Sequence, residues 1–229
     1  MRRTTPGVEL ASARVSRAEA HDPERVVRVL EPFVTDARRA RLLEVIARRL
    51  SSVAVVFDAP YDPHNGAAVV RSCEAFGVQW LHVVERKGTP FAVASAVARG
   101  TEKWIDVVRH AQASSLLAWT GEAGIPLVGA HPDGELVPAE LAAMPRVAIV
   151  LGNEREGIRE ALACACVARV RVPMRGFAES LNVSVTAAIL LDAATRGRGG
   201  DLDTLTQRRL YARGLYLSVA HAEEVLAAR

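Results

Sequence analysis

The chain lacks the segments and residue spacings that mark membrane, secreted and zinc-dependent proteins. Its longest apolar runs cover only a handful of residues, far short of the roughly 20 that a membrane-spanning helix needs. The first residues, which include Arg2 and Arg3, contain no apolar stretch of the kind found in secretory signals. The 3 cysteines and 6 histidines do not have the spacing of metal ligands. We therefore expect a cytoplasmic protein with no membrane partner and no metal, whose cysteines are small buried thiols.

Lysine is almost absent, although basic residues are common. Only Lys87 and Lys103 are lysines among the 29 Lys and Arg residues, and the formal net charge is +3. The planar guanidinium of arginine suits bidentate contact with phosphate. A GC-rich coding sequence also produces an excess of arginine, so composition alone leaves phosphate binding open.

Familiar nucleotide-binding and hydrolase motifs are missing too. The sequence contains no phosphate-binding loop of the Gly-Lys-Ser kind and no nucleophile elbow. Its glycine-rich segment at 197–200 follows a predicted helix. That segment is therefore not the strand-to-helix turn of a dinucleotide-binding fingerprint.

From residue 53 onward, short apolar segments alternate with helical patterns, in a chain long enough to bury a substantial core. Strands are predicted at 53–57, 80–84, 104–108, 126–130, 147–151 and 170–172. Helices are predicted at 65–76, 92–97, 111–123 and 181–194. The alternation favours an α/β fold in which a mostly parallel sheet carries helices on both faces. Outside it we expect a mobile segment at 1–21, helices at 24–30 and 36–50, and one or two amphipathic helices in 201–229.

Polar residues follow the first predicted strand, at the position where α/β proteins bind ligands. Asn65 lies near the start of the next helix, where its short side chain can cap the helix or reach a ligand. Arg71 lies six residues further on, in an otherwise apolar helix, and there it needs a partner. A structural salt bridge and a functional role are equally compatible with this spacing.

A second polar group follows the strand at 147–151. Gly152 at the strand exit would let the backbone come close to a ligand, and Glu154 could accept hydrogen bonds there. The same residues are also compatible with a simple turn.

The start of the helix at 181–194 is the most informative stretch. Its apolar residues lie nearly all round, which is typical of a buried helix. Polar residues nevertheless crowd its first two turns, namely Ser180, Asn182, Ser184 and Thr186. Buried polar groups must be hydrogen-bonded, and the amino end of a helix attracts anions. Capping accounts for Ser180 alone, so this cluster indicates a site.

Three blocks of the sequence resemble the SpoU/TrmH branch of the SPOUT RNA methyltransferases. The blocks are 65–78, 151–157 and 172–185, and the last is the most specific. Their order and spacing agree with the family, and the resemblance covers about 36–196. The helix at 36–50 and the segment at 100–104 most resemble members that methylate the ribose 2′-hydroxyl of guanosine 18 in the tRNA D-loop.

The resemblance implies a fold, a cofactor and an assembly. Family members have a SPOUT fold whose carboxyl-terminal part, here about 126–197, forms a deep trefoil knot. The knot binds S-adenosyl-L-methionine largely through backbone groups, and these contacts carry over to Ala130, Gly152, Val172 and Leu181. The enzymes are homodimers in which one active site uses both subunits. The catalytic residues carry over to Asn65, Arg71, Glu154, Ser180 and Asn182.

The resemblance also suggests a role for the arginine. Asn65 would support Arg71, and Arg71, helped by an RNA phosphate, would activate the 2′-hydroxyl. Because a guanidinium is almost always protonated, a positioning and charge-stabilising role suits Arg71 better than that of a base. The identity of the proton acceptor stays open.

The helix at 36–50 carries five arginines against only two acidic residues: Arg38, Arg39, Arg41, Arg48 and Arg49. Taken alone, this pattern favours a solvated helix face over a phosphate-tracking surface, because charge patterning is weak evidence of function. With the family in view, and with no separate RNA-binding domain evident, we expect these arginines and those of the tail to contact RNA.

We thus expect three segments: an N-terminal extension with helices and RNA contacts at 1–50, the methyltransferase domain at 51–197, and a helical tail at 198–229. The predicted activity is S-adenosylmethionine-dependent 2′-O-methylation of a tRNA D-loop guanosine. Ribosomal RNA or another tRNA position stays open as the substrate, because the shared motifs bind cofactor and ribose rather than base. A catalytically silent RNA-binding protein and a small-molecule-binding protein are the alternatives from other classes.

Overall fold

The computed structural model describes residues 13–86, 88, 91 and 100–228, which form two compact units. The first unit comprises residues 51–198. The second comprises residues 13–50 and 199–228, and so combines segments from both ends of the chain. The helix predicted at 92–97 lies outside the described residues. Among the residues described, no helix is long and apolar enough to cross a membrane.

The elements alternate as the sequence predicts. The strands are β1 (Leu50–Asp58), β2 (Val78–Val84), β3 (Asp106–His110), β4 (Leu127–Ala130), β5 (Val147–Leu151) and β6 (Ala168–Val170). The helices of the first unit are α4 (Pro63–Ala75), α5 (Ala113–Ala123), α6 (Glu160–Ala163) and α7 (Val183–Thr195). Those of the second are α1 (Ala13–Ala20), α2 (Pro23–Leu30), α3 (Asp36–Ala47), α8 (Thr204–Ser218) and α9 (Ala222–Ala227).

The first unit is built on a six-stranded sheet with the strand order β3-β2-β1-β5-β4-β6. The central strands β1 and β5 pair in parallel, with Val53 opposite Val147 and Phe57 opposite Leu151. Their valines are completely buried, as expected for strands that are covered on both faces. The predicted α/β class with a mostly parallel sheet is confirmed.

The order of strands changes direction between β1 and β5. Along the chain, β1, β2 and β3 are added towards one edge, whereas β4 and β6 lie beyond β5 on the other side. In open α/β sheets such a reversal opens a crevice outside the carboxyl ends of the strands. The segments that follow these strands therefore converge, including those that begin after Asp58 and Leu151.

Some predicted boundaries are shifted, for local reasons. Helix α3 ends at Ala47 rather than at residue 50, because Leu50 already belongs to β1. Strand β3 begins at Asp106, after a 3-10 turn at Thr101–Lys103. Strand β6 covers Ala168–Val170 rather than 170–172, because its partner β4 ends at Ala130, opposite Val170.

Helix α7 differs from the fully buried helix that we predicted. Leu190 and Leu191 are buried, but the side chain of Val185 is 46% exposed, so one side of the first turns is open. The guanidinium of Arg198 holds the other end of the helix. It donates to the carbonyl oxygens of Ala194 (2.6 Å) and Pro145 (2.9 Å), and so ties the end of α7 to the segment before β5.

The second unit is a helical cluster around α8. Helices α1, α2 and α3 all pack on α8, and its residues from 210 to 216 are buried. Arg213 is 1% exposed and pairs with Glu19 of α1 at 2.6 Å. The expected mobile segment at 1–21 is thus wrong for Ala13–Ala20, which is a helix because Val15 and Ala18 are buried. Arg213, an arginine of the tail, is therefore not exposed for the RNA contact that we expect of those arginines.

The cysteines lie in three different environments. Cys73 is buried, Cys166 is partly buried and Cys164 is exposed. Burial raises the pKa of the Cys166 thiol to about 11. The prediction of three buried thiols is correct for Cys73 and wrong for Cys164, which follows the short helix α6 at the surface.

Candidate active site

A cavity of about 460 Å³ lies at the carboxyl ends of β4, β5 and β6 and against the start of α7. Its volume falls within the roughly 300–1,000 Å³ of small-molecule sites. The four residues predicted to bind a cofactor all line it: Ala130, Gly152, Val172 and Leu181. Three of the five predicted catalytic residues line it as well: Glu154, Ser180 and Asn182.

The structure links Asn65 to this cavity through a chain of side-chain hydrogen bonds. Asn182 Nδ2 donates to Asn65 Oδ1 at 3.1 Å, and Asn65 Nδ2 donates to Glu154 Oε1 at 2.5 Å. A carboxylate only accepts hydrogen bonds, so the contact with Glu154 orients the Asn65 side-chain amide with its nitrogen towards Glu154. Residues from three distant parts of the sequence therefore form one oriented polar cluster.

Asn65 owes its position to the start of α4. Asp62 caps this helix by accepting a hydrogen bond from the His64 backbone at 2.8 Å, and Pro63 occupies the first helical position. That hydrogen bond lowers the pKa of the Asp62 carboxyl. Asn65 thus lies in the first turn, beyond the carboxyl end of β1.

Glu154 is held by a tight turn between Asn153 and Gly157. The backbones of these two residues exchange hydrogen bonds of 3.0 and 3.1 Å. The buried Asn153 Oδ1 also accepts from the backbone N–H groups of Arg155 (3.0 Å) and Glu156 (2.8 Å). The Glu154 side chain therefore projects from a rigid loop.

Gly152 is required by the chain itself rather than by a ligand. A Cβ atom at this position would lie 2.3 Å from the carbonyl carbon of Gly157 and 2.5 Å from the nitrogen of Ile158. The sequence is compatible both with close approach of a ligand and with a simple turn at this glycine. The structure shows that it allows the turn to fold back onto the end of β5.

The cap of α7 is Asn182 and not Ser180. Asn182 Oδ1 accepts from the backbone N–H and the hydroxyl of Ser184, at 2.8 and 2.7 Å. Ser180 lies before the helix, is exposed and lines the cavity. Asn182 therefore has two functions, because the same side chain caps α7 and orients Asn65.

The segment before α7 offers backbone groups to a ligand. Residues 172–182 form neither helix nor strand. Among the described residues, no backbone N–H or C=O group from Val172 to Leu181 forms a hydrogen bond with another backbone group. Since backbone polar groups require partners, these groups are available to water or to a bound molecule.

Arg71 lies apart from the cavity. It is exposed on α4, and among the described residues it forms no hydrogen bond with Asn65 and no ion pair with an acidic side chain. The need for a buried partner, which we inferred from its apolar neighbours, does not arise.

The five arginines expected to contact RNA have different environments, and two of them, Arg48 and Arg49, follow the last residue of α3. Arg41 and Arg48 both pair with Glu44, at 2.8 and 3.0 Å, and they lower the pKa of its carboxyl. Arg39 pairs with Asp36, and Arg38 donates to Ser218 Oγ at 3.1 Å. Arg49 is only 3% exposed, so its side chain is not offered to solvent as the sequence suggested.

Sequence reasoning missed some residues near the site. His131 and Pro132 line the cavity directly after β4. The ring of Tyr61, in the loop after β1, has the guanidiniums of Arg86 and Arg155 over it at 3.7 and 4.5 Å. All five residues follow the carboxyl ends of strands. This position in the sequence is the signal that could have identified them as residues near the site.

Comparison with known proteins identifies the family. The model of the SpoU rRNA Methylase family matches residues 52–192. The tRNA (guanosine(18)-2'-O)-methyltransferase of Aquifex aeolicus is 30% identical over 171 residues, which are 74% of this chain and 81% of the relative. The enzyme of the same name from Escherichia coli strain K12 is 34% identical over 163 residues, 70% of each chain.

Solved structures agree with the sequence comparison. The A. aeolicus TrmH/SpoU tRNA modifying enzyme superposes with a TM-score of 0.63 at 26% identity, over 84% of this chain and 94% of that one. The SpoU methyltransferase AviRb from Streptomyces viridochromogenes, in complex with AdoMet, gives a TM-score of 0.59 at 27% identity, over 67% and 63%. The matched region 52–192 contains every predicted cofactor-binding and catalytic residue. The chain therefore belongs to the SpoU rRNA methylase family.

Proposed function

We propose that this protein is an S-adenosylmethionine-dependent tRNA methyltransferase that acts on the ribose 2′-hydroxyl of guanosine 18 in the D-loop. The observation that carries the proposal is the Asn182–Asn65–Glu154 cluster at the mouth of a cavity of cofactor size. The relatives from A. aeolicus and E. coli, which are named for this reaction, support the choice of tRNA.

The cavity fits S-adenosylmethionine by size and by the chemistry of its lining. We propose that backbone groups of Ala130, Gly152, Val172 and Leu181 hold the cofactor. The backbone groups of 172–181 without backbone partners can supply hydrogen bonds that fix an adenine and a ribose. When bound, the cofactor supplies an electrophilic methyl group.

The polar cluster would position the ribose. A hydroxyl is a poor nucleophile, so the site must align its oxygen with the methyl group and share its proton. We propose that Asn65, Glu154 and Asn182 act by holding this hydroxyl in line, together with the exposed Ser180. The tight turn at 153–157 keeps Glu154 in place without reorganisation during the reaction.

The proposed role of Arg71 requires a second subunit. It is exposed and does not reach the cavity of its own chain in the described structure. We propose a homodimer in which Arg71 stabilises charge at the active site that it helps to form. Three exposed apolar side chains support an unpaired surface beside the cavity: Met174, Phe177 and Val185. We also propose that 126–197 forms the trefoil knot of the family.

RNA contact by the second unit forms part of the proposal. Arg38, Arg41 and Arg48 are exposed, and one carboxylate, Glu44, is shared by the last two. This helix face therefore keeps a positive excess that can attract phosphates. Arg49 is excluded because it is buried.

Ribosomal RNA is the second candidate substrate. The 23S rRNA (guanosine-2'-O-)-methyltransferase RlmB of Coxiella burnetii is 31% identical over 169 residues, which are 72% of this chain and 67% of the relative. The cavity and the polar cluster would serve the same chemistry on either RNA, since they address methyl donor and ribose.

Methyl transfer to defined RNAs tests the proposal. The full chain is incubated with unmodified tRNA transcript and methyl-labelled S-adenosylmethionine, and the labelled nucleotide is mapped. The matched substrate control is the same tRNA with another base in place of the D-loop guanosine, and the matched protein control is Arg71→Ala. We expect label at the D-loop guanosine of the unmodified tRNA. Replacing that guanosine or substituting Arg71 should each abolish the label.

The other outcomes separate the alternatives. Label on ribosomal RNA but not on tRNA keeps the reaction and rejects the substrate. Absence of label on both, with RNA binding intact, rejects methyl transfer and favours the catalytically silent RNA-binding protein.

A further inference from the structure

Tyr61, Arg86 and Arg155 form a compact group that the catalytic proposal does not use. The guanidinium carbon of Arg86 lies 3.7 Å from the centre of the Tyr61 ring, and that of Arg155 lies 4.5 Å from it. The three residues come from the segments after β1, β2 and β5, at the carboxyl edge of the sheet. We refer to these residues as the arginine–tyrosine cluster.

The cluster places two positive charges around one aromatic ring. Neither Arg86 nor Arg155 forms an ion pair with a carboxylate in the part of the chain that is described. Contact with the ring of Tyr61 attracts each cation only weakly at a partly exposed site, and it neutralises neither. Two guanidiniums gathered at one aromatic ring therefore attract an anion.

The position of the cluster indicates which anion it would meet. Arg155 directly follows Glu154 on the rigid turn, and Tyr61 lies four residues before Asn65. Arg155 thus shares a loop with Glu154, and Tyr61 lies in the segment that leads to Asn65, whereas Arg86 comes from the neighbouring segment after β2. An RNA strand that presents one ribose to Glu154 and Asn65 must pass its neighbouring linkages along these loops.

The chemistry favours a phosphodiester as the occupant. A guanidinium presents donors in a planar fork that matches two phosphate oxygens, and stacking on an aromatic ring leaves its edge free to donate. The ring also restricts both side chains before binding, which reduces the conformational entropy lost in the complex.

We propose that the arginine–tyrosine cluster is a subsite for an RNA backbone phosphate that adjoins the target nucleotide. The inference rests on the proposed function, because it takes an RNA strand as the substrate. It adds specificity for a linkage that lies next to the reacting ribose, which neither the cavity nor the α3 arginines supply.

The first test compares matched arginine variants. Arg86→Ala, Arg155→Ala and the double variant are measured beside Arg146→Ala, which removes an exposed arginine from the residue before β5, at the opposite end of that strand. We expect the dissociation constant for tRNA to rise roughly tenfold for each cluster variant, as for the loss of one charged hydrogen bond. The slope of log affinity against log salt should fall by about one for each arginine removed. Affinity for S-adenosylmethionine should stay the same, and Arg146→Ala should match the unmodified protein.

Tyrosine variants separate phosphate binding from general damage. Tyr61→Phe keeps the ring and should retain affinity for tRNA, whereas Tyr61→Leu removes the stacking surface and should weaken it several-fold. Thermal unfolding of each variant shows whether the fold is intact. Equal loss in both Tyr61 variants would contradict a role for the ring.

The decisive test removes the charge from the RNA instead. Single methylphosphonate linkages, which are neutral, are placed on either side of the target ribose. One of them should weaken binding to the unmodified protein about tenfold and should not weaken binding to the double arginine variant further. The proposal is overturned if every neutral linkage weakens RNA binding by the same factor in the unmodified protein and in the double arginine variant. These measurements use binding alone. Failure of methyl transfer to RNA would therefore reject the proposed function, but it would not decide whether the arginine–tyrosine cluster binds an RNA phosphate.

Discussion

Arg159 binds Asp58 through its backbone and its side chain at once. The backbone N–H of Arg159 donates to Asp58 Oδ2 at 2.8 Å, and its Nε donates to Oδ1 at 2.9 Å. Asp58 ends β1 and is completely buried, whereas Arg159 follows the turn that carries Glu154. This pair therefore ties together the two loops that meet at the Asn65–Glu154 hydrogen bond.

Removing the Asp58 carboxylate should make the protein less stable. Asp58→Ala removes the buried carboxylate, while the Arg159 side chain is 36% exposed and stays partly solvated. We therefore expect the free energy of unfolding to fall by about 1.5–3 kcal/mol, as for lost hydrogen bonds to a charged group. Urea denaturation measures the change. The exposed pair of Arg196 and Asp192 is the matched control, and Asp192→Ala should cost no more than about 1 kcal/mol. Similar losses in the two variants would show that Asp58 and Arg159 form no special link.

Gly152→Ala should disrupt the site even though it adds only a methyl group. The new Cβ would overlap the backbone of Gly157, so the turn must open and Glu154 must move. We expect loss of S-adenosylmethionine binding in titration calorimetry and a lower melting temperature. Gly121→Ala is the control, because it lies in α5 with no atom within 4 Å of the added Cβ. It should stabilise the protein by roughly 0.5–1 kcal/mol, since alanine suits a helix better than glycine.

Acid should destabilise the first unit through His82. Burial, and then the neighbouring His110, lower the pKa of His82 to about 3, and its Nδ1 lies 2.9 Å from His110 Nε2. Between about pH 6.5 and 3 the imidazole is protonated in the unfolded chain and neutral in the folded chain. The stability that is present above pH 6.5 is therefore lost as the pH falls from about 6.5 towards 3. Between pH 6.5 and 5 we expect a loss of about 1.5 kcal/mol from this group.

The comparison of pH profiles isolates that histidine. His82→Phe keeps a ring beside Trp119, which lies 3.7 Å from the imidazole, and it should flatten the pH dependence of the free energy of unfolding. His64→Phe, at a mostly exposed position, should leave the slope unchanged. An unchanged slope in His82→Phe would assign the acid sensitivity to other groups.

Asn65→Asp should make the reaction sensitive to pH. The substitution places a second carboxyl 2.5 Å from Glu154, and two carboxylates that close cannot both be ionised without strong repulsion. We expect the rate constant for methyl transfer at pH 8 to fall about 100-fold and to recover partly as the pH decreases, because one shared proton restores a hydrogen bond. Binding of S-adenosylmethionine should change little. A rate that stays equally low at every pH would show that Asn65 supplies more than this contact.

The sequence predicted the sheet well because its strands are short, apolar and separated by helical patterns. It also indicated Asn65, Glu154 and Asn182, since each follows a strand or begins a helix. It did not reveal which of Ser180 and Asn182 caps α7, because both residue types cap helices and only backbone geometry distinguishes them.

Other features depend on tertiary contacts that local patterns do not contain. Arg213 looks like a surface residue in sequence, but its pairing with Glu19, nearly 200 residues away, allows it to be buried. Val185 looks like a core residue and is exposed. The arginine–tyrosine cluster joins three segments whose proximity follows from strand order alone.

The strand order also determines when the active site can form. Strand β5 is made after β4, yet it lies between β1 and β4, so those two strands cannot complete the sheet until residues 147–151 have been inserted. Pairing of such distant segments is slow, because a long loop must close first. A ribosome-bound chain that lacks α7 would hold Asn65 and Glu154 but not Asn182. We therefore expect the nascent protein to acquire cofactor affinity in one late step, after residue 195 has left the ribosome.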